Sequence, residues 1–299
     1  MFRVRDYTSN YQQYKNAGIV IDEAQIKRIQ AISLEMYKDI LEMCERNRLT
    51  VMLGGGSALG AIRHKGFIPW DDDIDLLMPR KDYDQFIQLF DATLGCKYQL
   101  KAPAVDQSRH NLFIQVLDPR TKRVGMFHNP KWPVEGIAVD IFSLDYVPKN
   151  KLCYYLKGFA ADLLVFIRTS KIMYQGRTPI AKQVMCQSFA LSGYYYFRLA
   201  IGFLMGWISS ARLCSWFDKT VSGKSRTAYI NIPSGRKHYF GECHPAEVFL
   251  PPQKTRFEDV DAYIPHDWDT YLKKLYGNNY MELPPVEKRE SHLYTKLEF

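Results

Sequence analysis

The sequence is poor in the features that would make it a secreted, redox-active or membrane-spanning protein. None of its six cysteines forms a C-x-x-C pair. They are expected to be ordinary buried residues in a reduced, cytosolic setting. The first residues, MFRVRDYTSNYQQYK, lack the apolar run of a signal peptide. Long uncharged stretches are missing too. From Gln183 to Ala211 the only charge is Arg198, and neither half reaches the ~18–20 residues of a spanning helix. Acids are scarce in one region. Between Lys149 and Arg226 twelve Lys and Arg face only Asp162 and Asp218, so this segment carries +10 of a chain total of +8 and leaves −2 for the rest. The segment therefore reads as a solvated basic face, or as a surface for an anionic membrane or anionic polymer. Nucleic acid is not expected as a partner.

What is present suits a globular chain. Its 299 residues are enough for one large domain or two small ones with a sizeable core. Twenty Tyr and 17 Phe suit amphipathic surfaces that meet sugars, lipid headgroups or partners.

Residues 1–20 read as a loose N-terminal arm. Asp22, with Gln25 three residues on, reads as the capped start of an amphipathic helix over 23–47, followed at helical spacing by Ile26, Ile29, Ile32, Met36, Ile40 and Met43. A short strand over 50–53 runs into Gly54-Gly55-Gly56, with Ser57 as N-cap of a short helix through Ile62. A strand over 74–78 stops at Pro79, which starts a helix. Further strands are predicted at 97–101, 111–117, 121–127 and 137–142. Residues 21–148 thus read as one core of α+β class. Residues 149–226 form a helical, basic and apolar segment, with buried helices as the leading reading and membrane-lying helices next. Residues 227–299, with strands at 229–232 and 254–257 and a helix at 267–276, complete the site.

The chemistry sits in Gly54-Gly-Gly-Ser-Ala-Leu-Gly60 and Asp71-Asp-Asp-Ile-Asp75. A strand, a glycine turn and a helix N-terminus form a phosphate cradle, because backbone N–H groups point outward and glycine allows close approach. Asp73 and Asp75 are two apart on a strand and share a face. Such a pair repels unless a cation lies between, and carboxylates with phosphate oxygens and water are the usual environment of Mg²⁺ (or Mn²⁺). Asp140, alone in the apolar strand Ala138-Val-Asp-Ile-Phe142, needs a metal, a basic partner or backbone amides. Other motifs fail. Asp71-x-Asp73-x-Asp75 opens like an EF-hand loop, but Leu76 stands where glycine is needed and Asp82 where glutamate is. Gly223-Lys-Ser225 has Asp218 at the first P-loop glycine, and a dinucleotide fingerprint would need glycine at Leu59. His238, Cys243 and His244 are a weak zinc set.

The run from Gly55 to Asp75 (GGSALGAIRHKGFIPWDDDID), followed by Met78-Pro-Arg80, resembles the LicD family, the bacterial phosphocholine transferases related to fukutin-type enzymes. Val139-Asp-Ile-Phe142 with Leu144-Asp-Tyr-Val-Pro148 resembles its next block. Tyr271-Leu-Lys-Lys-Leu-Tyr-Gly277, Leu283-Pro-Pro285, Glu287-Lys-Arg289 and His292 resemble its C-terminal block. The likeness is weakest across 150–225. It implies a nucleotidyltransferase-like mixed sheet with flanking helices, and a role in decorating cell-surface glycans such as lipopolysaccharide or teichoic acid. By the same resemblance Gly55, Gly56 and Ser57 cradle donor phosphates, and Asp73, Asp75 and Asp140 hold metal and carry catalysis.

Arg63, His64, Lys65 and Arg80 are candidate phosphate ligands. Trp70 and Tyr83 are candidates for a quaternary head group, which favours aromatic faces. Glu287, Arg289 and His292 are acceptor-binding or structural. The expected activity is metal-dependent transfer of a phospho-group, with phosphocholine from CDP-choline the foremost case. The acceptor is a sugar hydroxyl of a glycan or lipid-linked oligosaccharide, reached at the inner face of the cell membrane through peripheral contact. Two other readings stand beside it: a nucleotidyltransferase adding NMP to a small molecule with release of pyrophosphate, and an inactive glycan- or membrane-binding protein.

Overall fold

The computed structural model describes residues 21–103, 111–125, 127–286, 289 and 294–299. The expected N-terminal arm, Glu287 and His292 lie outside them. Helix α1 (Glu23–Arg46) starts where the sequence predicts. Asp22 accepts from the Gln25 N–H while the Gln25 side chain accepts from the Asp22 N–H, a full capping box. Its buried stripe includes Ile26, Ile29, Met36, Ile40 and Met43.

One mixed seven-stranded sheet positions the site. Strand β1 (Met52–Leu53) pairs antiparallel with β2 (Ile74–Pro79). Between them lies helix α2 (Gly55–Arg63). Helix α3 (Arg80–Thr93) follows β2, and strand β3 (Gln99–Lys101) pairs with β4 (Ile114–Leu117). Strand β5 (Lys122–Gly125) leaves the sheet to form a ribbon elsewhere. Strand β6 (Ala138–Tyr146) lies between β4, antiparallel, and β2, parallel. It was expected to end near 142. It runs on to Tyr146 because its backbone pairs with β2 as far as Leu144 and with residues 230–231 at Asp145 and Tyr146, and Ser143 and Asp145 inside it bind the buried Arg80 guanidinium.

Residues 149–226 are helical, as expected: α4 (Lys151–Gln175), α5 (Pro179–Met185), α6 (Phe189–Leu204) and α7 (Ser210–Val221). Each begins at a polar residue, Asn150, Thr178, Ser188 and Ser209, whose side chain accepts a backbone N–H of the first turn. Among the described residues no helix is long and apolar enough to cross a membrane.

The chain then returns to the sheet. Strand β7 (Tyr229–Asn231) pairs with the far end of β6 and with β8 (Cys243–Pro245), and the short helix α8 (His238–Gly241) lies between them. A hairpin of β9 (Gln253–Phe257) and β10 (Val260–Ile264) buries Phe257 against Tyr37 and Phe67. Helix α9 (Trp268–Tyr276) is capped by Asp267. Strand β11 (Tyr294–Glu298) pairs with β5. The molecule is thus of α+β class, a mixed sheet with flanking helices.

Candidate active site

Parallel pairing sets Asp75 beside Asp140 on neighbouring central strands. Residues in register point to the same side of a sheet, and so do residues two apart. The alternation starts before β2. Asp71, Asp73 and Asp75 are half-buried, whereas Asp72 and Ile74 between them are buried. Asp73, Asp75 and Asp140 therefore belong to one partly open face, and Ile74, Leu76 and Ile141 fill the core behind it.

The glycine turn is pressed against this face. The Gly54 N–H donates to the Asp75 carbonyl, and the Asp75 N–H donates to Ser57 Oγ at 2.9 Å. Gly55 has φ +47°, and a Cβ there would lie 2.4 Å from Asp75 Oδ2. A Cβ on Gly56 would lie 2.5 Å from Asp71 Oδ2. Both glycines are needed for the N-terminus of α2 to meet the acids at all. Gly54, not Ser57, is the N-cap of α2.

Three tyrosines that sequence reasoning did not select close the surroundings. The Tyr271 hydroxyl accepts from the Gly55 N–H at 2.9 Å. Tyr276 has its phenol pushed up by burial first and then by Asp75, Asp71 and Asp73, against the pull of Arg236, so it lies among these acids. Tyr294 on β11 donates to Asp72, and burial followed by Asp72 holds its phenol protonated. Asp140 Oδ1 accepts from Gln115 Nε2 at 2.8 Å. It also helps keep Arg123 charged against the cost of burial, together with Tyr294. Tyr271 and Tyr276 stand in the C-terminal block quoted above, and that was the available signal for them.

Residues 48–160, which contain the glycine turn, the acids and β6, match the domain described as LicD/FKTN/FKRP, nucleotidyltransferase domain. This segment is a LicD/FKTN/FKRP nucleotidyltransferase domain. Beyond it, the chain is similar over 89% of its length to lipopolysaccharide cholinephosphotransferase LicD of Haemophilus influenzae. The two are 25% identical, and the match covers 95% of that protein. An uncharacterized Rickettsia typhi protein is 29% identical over 153 residues, 49% of this chain and 47% of its own.

The LicD domain does not use every residue expected of it. Ser57 is 4% exposed and spends its Oγ on the Asp75 backbone, so it shapes the cradle and does not line it. Arg80 is buried and bonded to Asp145 (2.7 and 2.8 Å), Ser143 and Asp218. It ties the sheet to α7 and does not bind phosphate. Tyr83 is buried in the core beneath Arg80, 4.9 Å from guanidinium to ring, and cannot receive a head group. Arg63 donates to the carbonyls of Tyr280 and Glu282 and anchors the chain after α9. His64 is edge-on to Trp70, and burial, then Arg63, lowers its pKa. Lys65 is exposed, with its carbonyl accepting from Glu258 N–H. Trp70 is half-buried, and Arg289 lies 4.2 Å over its ring. His244, named with His238 and Cys243 as a zinc set, packs against Phe249 and Tyr271.

Among the described residues no three His, Cys, Asp or Glu side chains gather closely enough to hold an ion. Asp140, in register with Asp75, accepts a hydrogen bond from Gln115. The donor set still fits Mg²⁺ or Mn²⁺ as an open site. Mg²⁺ takes one or two carboxylates and completes its shell with waters and substrate phosphates, and Asp73 and Asp75 supply such a pair on a half-exposed face.

Proposed function

We propose that the protein transfers phosphocholine from CDP-choline to a sugar hydroxyl of a cell-surface glycan precursor carried on lipid, working at the inner face of the cell membrane. The observation that carries the reading is the placement of Asp73, Asp75 and Asp140 on one face against the Gly55-Gly56 turn. The relative named as a cholinephosphotransferase, matched over most of both chains, supports the donor and the kind of acceptor.

The residues divide the work. The turn and the N-terminus of α2 offer backbone N–H groups and a favourable dipole to the donor diphosphate. Asp73 and Asp75 would hold Mg²⁺ or Mn²⁺, which neutralises charge on the transferring and departing phosphates. Asp140 orients the attacking hydroxyl and takes its proton, while Gln115 fixes its carboxylate. The sugar oxygen bonds to the phosphorus that bears choline, and the bond from that phosphorus to the CMP oxygen breaks. Trp70 offers a ring face to the trimethylammonium once Arg289 gives way.

Product analysis with a panel of activated donors tests the reading. CDP-choline with Mg²⁺ should yield CMP and a phosphocholine-bearing sugar. Asp73→Asn and Asp75→Asn should each slow turnover by well over about tenfold, since each removes a ligand of charge-neutralising metal worth several kcal/mol. Release of pyrophosphate from a nucleoside triphosphate would instead identify an NMP transferase. Turnover of CDP-ribitol or CDP-glycerol alone would remove choline but leave phospho-group transfer standing.

A further inference from the structure

Helix α6 is turned inside out for a water-soluble protein. Its one charge, Arg198, is 4% exposed and bonds Tyr194 and Thr169 within the helical segment. Its outward side carries Phe189, Tyr196, Phe197, Phe203 and Leu204, and Phe189 is 97% exposed. The other outward positions are Ala190, Gly193 and Ala200, so the exposed face contains no charge. Trp207, 76% exposed, extends it beyond the helix end. The first half of α4 repeats the pattern. Leu152, Leu156, Phe159 and Leu163 are spaced 4, 3 and 4 apart and all exposed, one apolar stripe with Tyr155 beside it.

The two helices form one body. Gly202 lets α6 reach the α4 backbone, since a Cβ there would stand 2.3 Å from the Ser170 carbonyl. Phe166 of α4 meets Phe197, and Tyr174 meets Phe203. Among the described residues, twelve of the seventeen exposed large hydrophobic residues fall in residues 149–226, far more than scattered surface apolar residues would give.

The charges around this face select its partner. Lys151 flanks the α4 stripe, Arg177 and Lys182 lie between α4 and α6, and Arg212 follows Trp207; all four are exposed. The two acids of the segment are withdrawn, Asp162 half-buried and Asp218 bonded to Arg80. Two copies meeting through this face would bring like-charged rims together. No described helix can span a bilayer. Exposed Phe, Leu, Tyr and Trp flanked by Lys and Arg match an anionic lipid headgroup layer, into which such a face sinks while its cations meet the phosphates.

We propose that the outward faces of α4 and α6 dock the protein flat on an anionic bilayer. Co-flotation of the full-length chain with phosphatidylcholine vesicles, with and without phosphatidylglycerol, tests this without needing turnover. Wild type should float with the anionic vesicles at least about fivefold better than with neutral ones, as a gain of ~1 kcal/mol from each basic residue near the surface implies. Added salt should reduce the recovery. The double variant Phe189→Glu, Trp207→Glu should melt as wild type does, because both side chains are largely exposed, and should stay unbound. Equal recovery with both lipids, or flotation of the variant like wild type, overturns the proposal. So does a wild-type dimer, seen by light scattering, that the variant splits while neither form binds vesicles.

Discussion

A methyl group on Gly55 would meet two obstacles, whereas one on Gly56 meets a single, movable one. At Gly55 the backbone has φ +47° and the Asp75 carboxylate stands 2.4 Å from the Cβ position. A left-handed residue with a Cβ costs roughly 1–2 kcal/mol, and the clash displaces a carboxylate the reaction needs. At Gly56 only the far end of the Asp71 side chain must move. Gly55→Ala should therefore lower the melting temperature and abolish turnover, while Gly56→Ala should leave the melt within error of wild type. Equal melts for the two variants would show that the turn tolerates a Cβ and that this account of it is wrong.

Two buried titratable groups behind the site oppose one another. Burial pushes the Glu242 carboxyl up to about 7, so the folded chain keeps a proton that the unfolded chain has released. That contribution to stability falls as pH rises from 4.5 through 7. Burial, with Lys274 next, pushes His244 down to about 4, so the unfolded chain binds a proton that the folded chain does not. That contribution rises with pH from 4 to 6.5. Each is worth about 3 kcal/mol over its window at ~1.4 kcal/mol per pH unit, and they nearly cancel where they overlap. Glu242→Gln should expose the His244 slope. The stability difference between variant and wild type, from urea unfolding at each pH, should grow by about 3 kcal/mol between pH 4.5 and 7. A difference that does not change with pH would place the charge of Glu242 outside the energetics of folding.

At the scale of elements, the separation of α4–α7 from the sheet can be probed at Gly202. Its Cβ position lies 2.3 Å from the Ser170 carbonyl and 2.6 Å from Tyr174 Cβ. Gly202→Val should force α6 off α4 at a cost of about 1–3 kcal/mol. Hydrogen exchange should quicken in α4 and α6 and stay slow in β2 and β6. Uniform loss of protection would mean that the helices and the sheet unfold as one unit. Much of this level was legible from sequence. The capping box of α1, the strand–glycine–helix turn, the strand bearing Asp75 and the helical character of 149–226 all follow from local periodicity and turn chemistry. What could not be read was set by distant partners. Arg80 looked like a phosphate ligand because Asp145 and Asp218, 65 and 138 residues away, were not visible beside it. Tyr83 has the helical spacing of a core residue, and the core claimed it. Ser57 has the chemistry of an N-cap, yet the close approach of the turn to Asp75 gave that place to Gly54 and bent the serine onto β2.

At the scale of the whole molecule, the site is assembled from parts far apart in the chain. Gly55 and Asp75 come from the first third, Asp140 from the middle strand, Tyr271 and Tyr276 from α9, and Tyr294 from the last strand. Strand β11 pairs with β5 outside the seven-stranded sheet, and it also places Tyr294 in the main core with Leu297 and Phe299 packed against it. It brings Tyr294 onto Asp72, next to Asp73. Ending the chain at Val286 removes this strand, that hydrogen bond and the Arg289 guanidinium over Trp70, yet it takes nothing from β1, β2, β6, β4 or β3. A hydrogen bond to a charged group is worth ~1.5–3 kcal/mol, so its loss beside the acid pair should slow turnover by about tenfold to a hundredfold. The melting temperature should fall as well, because Tyr294, Leu297 and Phe299 leave the main core, although the strands of the central sheet stay paired. Calorimetric binding of CMP separates two causes. If CMP binds as in the full chain, the strand serves the arrangement of Asp72 and Asp73 during transfer; if CMP binding is lost as well, the strand holds the donor cradle itself. A truncated chain that turns over at the full rate would show that the site is complete without its last strand.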